Sequence, residues 1–106
     1  MKLIISQAVY FDDQPKFPHR WTKEIDNPVV YPHNGDKIED SIWKDPYEYE
    51  VVDVVIDYSS NEYYVTVKEY SDNAGKTYVI PSDRKGEFAH MSELHGWIPS
   101  WERFND

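Results

Sequence analysis

The stretch Tyr47–Tyr70, YEYEVVDVVIDYSSNEYYVTVKEY, decides how the rest of the chain is read. It reads as two β-strands joined by a tight turn, with acids along the polar side. From Val52 the even positions Val52, Val54, Ile56 and Tyr58 are apolar, while Asp53 and Asp57 take the other side. Before that the phase is reversed, with Glu48 and Glu50 even and Tyr47, Tyr49 and Val51 odd. Side chains alternate between faces with a period of two, so a flip in phase requires an extra residue. A bulge or bend is expected near Val51-Val52. In the second strand Tyr63, Val65 and Val67 share one face, and Glu62, Tyr64, Thr66 and Lys68 the other. A two-residue loop at Ser60-Asn61 pairs Ile56 with Val65 and Asp57 with Tyr64. A longer loop sets Asp57 opposite Glu62, and like charges directly opposite are unfavourable. The first register is therefore expected.

Outward from the hairpin, the alternation of Leu3, Ile5, Val9 and Phe11 predicts a first strand. Residues 12–27 contain Pro15 and Pro18 and read as a loop, with Phe17, Trp21 and Ile25 packing back on the body. Pro28 and Pro32 bracket Val29–Tyr31, an edge strand or extended segment. Asn34-Gly35 signals a turn. Ile38 and Ile42 are the inward residues of the next element. Residues 71–75 (SDNAG) read as another turn, and 77–80 as a strand ended by Pro81. Arg84-Lys85-Gly86 is polar and turn-like. A short helix is expected near residues 87–95, closed by Gly96. The tail GWIPSWERF is too apolar to stay loose, and the four tryptophans read as core, with room inside for two.

The 106 residues fit one small β-rich domain over 1–106. The expected fold is mainly β, a small barrel or strongly bent antiparallel sheet with that one helix. Cysteine is absent, which excludes disulfide scaffolds, thiolate-bound zinc and thiol catalysis. The apolar run at the N-terminus is too short for a signal peptide, and no stretch approaches the roughly 20 apolar residues that span a bilayer. A cytoplasmic protein is expected.

The net charge is −9, and it is concentrated. Residues 1–35 hold four acids and four bases; residues 36–72 hold eleven acids and three bases. Phosphate binding relies on clustered Lys and Arg. None occurs, so neither direct nucleic-acid binding nor a membrane partner is expected.

Motifs for chemistry are weak. His90, Glu93 and His95 do not share one helix face, and read as a helix with a polar His90 and a His95 near its C-terminus, where a cation is favoured. Asp12-Asp13 and Asp36, Glu39 and Asp40 read as solvated loops, and the loop from Asp72 lacks the oxygens of a calcium loop. No glycine-rich phosphate cradle and no Gly-x-Ser-x-Gly elbow occurs. No catalytic residue, metal site or cofactor is expected, and the chain reads as a non-enzyme.

Two pieces resemble landmarks of Src-homology-3-type small barrels. Gly35-Asp36-Lys37-Ile38 is similar to the Gly-Asp-aliphatic opening after the first long loop. Residues 75–83, GKTYVIPSD, are similar to the Gly-Tyr-Ile-Pro-Ser-Asn run that closes the barrel. The resemblance covers about residues 35–83 and implies a barrel of five short strands. Pro81 matches a ligand-gripping proline of the family, with Tyr78 nearby. Tyr63 and Tyr64 stand where its tryptophan would be, and Asp83-Arg84 replaces Asn-Tyr.

The function expected from the residues is protein binding through the hairpin's acidic face. Glu48, Glu50, Asp53, Asp57 and Glu62 would complement a partner with a basic surface, and Tyr49 and Tyr64 would supply contact area. The alternative is a DNA-mimic inhibitor of a nucleic-acid enzyme, whose acids imitate a phosphate line.

Overall fold

The computed structural model describes residues 1–40, 47–71 and 76–101. Strands β1 (Lys2–Phe11) and β2 (Gln14–Asp26) form a long hairpin. Then come β3 (Lys37–Asp40), β4 (Tyr47–Asp57), β5 (Glu62–Val67) and β6 (Val79–Ile80). A 3-10 turn (Ser82–Arg84) leads into helix α1 (Lys85–Leu94), and β7 (Ile98–Pro99) closes the chain. The sheet order is β3-β4-β5-β1-β2-β7, with β6 beside the end of β1. The fold is mainly β with one short helix, and the sheet curls into a half-barrel.

The sheet is mixed. β1 pairs antiparallel with β2 but parallel with β5 and β6. The first strand thus lies between the second and the fifth, with the fifth running the same way. Local pattern does not disclose it.

The inner face carries the core: Leu3, Ile5, Val9 and Phe11 from β1, Trp21 from β2, Tyr49 and Val51 from β4, and Tyr63, Val65 and Val67 from β5. Phe88 and Ala89 of α1, with Trp97 and Trp101, cover the open side. Phe88 stacks on Trp21 with ring centroids 6.5 Å apart, and Trp101 meets Phe11 edge-on at 5.0 Å. Three tryptophans are buried, one more than the size of the barrel suggested, because the C-terminal segment brings two of its own. Trp43, Ile42, Phe104 and most of the 71–75 turn lie outside the described residues.

Residues 14–26 form a strand, not a loop. Prolines are tolerated there because Pro15 and Pro18 fall where the β1–β2 register shifts, between Val9 and Phe11. Trp21 is buried and Ile25 packs against the core, but Phe17 is 57% exposed beside that irregularity. Val29–Tyr31 joins no strand, and both valines are exposed. Tyr31 is instead tied down by its hydroxyl, which donates to the Met1 carbonyl at 2.7 Å.

The predicted phase flip is a bulge at Val52, where the β4–β5 register shifts between Val51 and Asp53. Val51 is thereby buried, Val52 is pushed out, and Tyr58 sits exposed on the turn. The hairpin register differs from expectation. Val54 pairs with Val65, Ile56 with Tyr63, and Asp57 faces Glu62. The physical reason lies in the turn. One Asp57 oxygen accepts from the Ser59 N–H (3.0 Å), the Ser59 hydroxyl (3.0 Å) and the Ser60 N–H (3.2 Å). Asn61 adopts a left-handed φ of 59°. Glu62 meanwhile accepts from the Tyr64 hydroxyl at 2.8 Å. Each carboxylate is held by its own donors, so facing each other costs little.

Helix α1 begins earlier than expected and takes in Lys85 and Gly86. Lys85 is nearly buried, paired with Asp13 at 2.8 Å, and its carbonyl accepts from the Trp101 indole. These tertiary contacts hold polar residues in the first helical turn. Gly96 ends the helix as anticipated.

Candidate interaction surface

The bulge sorts the β4 side chains. Tyr49, Val51, Val54 and Ile56 turn toward the core side, and Glu48, Glu50, Asp53, Val55 and Asp57 outward. Pairing across the sheet then builds rows on the outer face. Asp53 lies beside Thr66, and Thr66 beside Ser6. Val55 lies beside Tyr64, then Ile4, then Glu24. Asp57 lies beside Glu62, then Lys2, then Asp26.

The surface is acidic, with an apolar strip at its centre. Val55 is 53% exposed and Tyr64 37%. Three lysines are each committed: Lys37 to Glu48 (3.4 Å), Lys68 to Glu50 (3.9 Å) and Lys2 to Glu24 (3.3 Å). Among the described residues, Asp53, Asp57 and Glu62 form no ion pair. Three acids outside those pairs therefore border the strip. Hydrogen bonds from Ser60 and Ser59 hold the Asp57 carboxyl below the usual range, so it stays ionised. The bond from Tyr64 to Glu62 pushes the phenol up, which keeps it protonated and donating. Lys2 is raised by its hydrogen bond to Glu24 and by the neighbouring acids.

Of the expected binding residues, Glu48, Glu50 and Asp53 are exposed, Asp57 and Glu62 are half-buried, and Tyr64 sits among them. Tyr49 does not. It is 2% exposed, on the inner face, with its ring 6.0 Å from Trp97. It occupies the odd phase before the bulge, which is the buried phase. Ile4, Lys2 and Glu24 were not anticipated, because only the parallel β1–β5 pairing brings them to this face. Val55 had a signal: an apolar residue on the polar side, between two acids.

Elsewhere, an open groove of about 460 Å³ is lined by Tyr10, Pro15, Lys16, Glu69, Thr77 and Val79. Among the described residues, Glu69 is its single lining carboxylate, and it accepts from the Thr77 hydroxyl. Among the described residues no group of three or more His, Asp or Glu side chains is placed to hold a metal ion, and no helix is long and apolar enough to cross a membrane.

No protein-family model, curated protein or solved structure matches the chain.

Proposed function

We propose that the protein is a non-enzymatic binding module that engages a basic protein surface through the outer face of β4 and β5. The observation that supports this reading is the Val55–Tyr64 strip surrounded by Asp53, Asp57 and Glu62, which form no ion pair among the described residues. Apolar and aromatic area at the centre of a contact supplies affinity, and unpaired rim charge supplies on-rate and choice of partner. The cysteine-free chain suits a cytoplasmic setting. A DNA-mimic inhibitor would use the same acids but has no need of the strip, so the strip favours an ordinary protein interface.

The test is capture from lysate of the source organism by wild type and by a variant carrying Glu48→Gln, Glu50→Gln, Asp53→Asn and Glu62→Gln. Asp57 is left alone because it builds the turn. The expected result is a partner bound by wild type, lost or weakened in the variant, and retained in part at high salt. A nucleic-acid enzyme released completely by salt would favour the mimic. Equal capture by both proteins would refute the face as a binding surface.

A further inference from the structure

We infer that the free edge of β4, from Val52 to Asp57, receives an extended segment of the basic partner as an added strand. This rests on the binding reading above and names the form the partner takes. β3 lies beside β4 only from Tyr47 to Glu50. At the next residue the loop takes over: the Gly35 N–H donates to the Val51 carbonyl and the Val51 N–H to the Asp36 carbonyl. Beyond that point, among the described residues, no main-chain hydrogen bond reaches β4 on the side away from β5.

The direction of the free groups follows from two bonds. The Lys68 N–H donates to the Glu50 carbonyl, so even residues of β5 face β4. The Lys2 N–H donates to the Asn61 carbonyl, so odd residues of β5 face β1. Thr66, Tyr64 and Glu62 thus bond to Asp53, Val55 and Asp57. Val54 and Ile56 turn their N–H and C=O groups outward, with no main-chain partner among the described residues. Such a row is a template for another chain, and adding a strand to it is an established recognition mode.

The side chains specify the occupant. On the outer face the edge shows Asp53 and Asp57, and on the inner face Val54 and the 45% exposed Ile56. A strand alternating basic with apolar residues matches both faces at once. It would lie in line with β3. A second copy of this chain fits poorly, because each copy carries −9 and would bring its own Asp53 and Asp57 into the seam.

The probe is an end-capped peptide of alternating lysine and valine, about eight residues long, enough to span this edge at roughly 3.3 Å per residue. Its control is the same peptide methylated on alternate main-chain nitrogens, with unchanged charge. We expect the Val54 and Ile56 amides to exchange freely in the unbound protein and to become protected by the peptide, read by NMR hydrogen exchange. The methylated peptide should bind about tenfold more weakly or worse. Val54→Pro removes an edge donor that bonds nothing in the sheet, and it should weaken the peptide similarly. If that variant does not fold, the methylated peptide on wild type decides. Equal affinity for the two peptides, no affinity for either, or no protection at Val54 and Ile56 overturns edge addition. Undiminished capture by the charge-neutralised variant instead overturns the face reading, so the two failures are distinguishable.

Discussion

Gln7 lies inside the barrel at 1% exposure and is fully engaged. Its amide donates to the Lys68 carbonyl at 2.8 Å, and its oxygen accepts from the Trp21 indole at 2.7 Å. A Gln7→Met variant of similar volume orphans both partners in a dry site. A loss of about 2 kcal/mol is expected, measured by urea unfolding. His19 offers a second residue-level test. Its ring contacts Phe11 at 5.3 Å and Phe17 at 5.1 Å, near the Lys85–Asp13 pair. Burial, then the Lys85 charge, pushes its pKa below the ordinary 6.5. The unfolded chain therefore takes the proton first. Stability from this residue is complete above pH 6.5 and is lost as pH falls through the lower, folded value. Thermal unfolding followed across that range should fall more for wild type than for His19→Phe. A parallel pair of curves would show that His19 is not the group responsible.

At the scale of elements, α1 ends in a two-bond cap. The Trp97 N–H donates to the Ser92 carbonyl (2.9 Å) and the Gly96 N–H to the Glu93 carbonyl (3.1 Å). Gly96 holds φ at +85°, and an added Cβ would meet only the Lys23 side chain at 3.6 Å. Gly96→Ala therefore has space but not conformation, and should cost about 1 kcal/mol. The bulge in β4 makes a different prediction. Deleting Val52 turns Tyr49 to Ile56 into an unbroken alternation, so the β4–β5 ladder should survive. The bend that carries Tyr49 and β3 toward Trp97 should not. Hydrogen exchange is expected to show protection lost in β3 and kept in β5. The bulge and the helix stop were legible because phase and glycine are local signals. The β2 strand was not, because its prolines read as loop until the opposing irregularity in β1 is known.

For the molecule as a whole, the net charge is −9, with eleven acids against three bases in residues 36–72, so like charges repel. Screening should stabilise the fold, so the melting temperature is expected to rise between low salt and roughly 1 M sodium chloride, where the screening length falls to about 3 Å. A flat or falling curve would show that pairs such as Lys23–Asp40, at 2.8 Å, outweigh the repulsion.

The sequence by itself determined the class of fold, the first strand, the phase flip at Val52 and the concentration of acid on one hairpin face. Each is written in periodicity or composition within a few residues. The folded hairpin decided the register, since the hydrogen bonds from Ser59 and Ser60 to Asp57 and from Tyr64 to Glu62 outweigh a repulsion judged from the pairing alone. Tertiary structure alone buried Tyr49, whose phase on β4 is referred to a core supplied by Trp97, 48 positions away. And it alone set Lys2, Ile4 and Glu24 beside Tyr64, because parallel pairing of the first strand with the fifth joins residues that no local pattern connects.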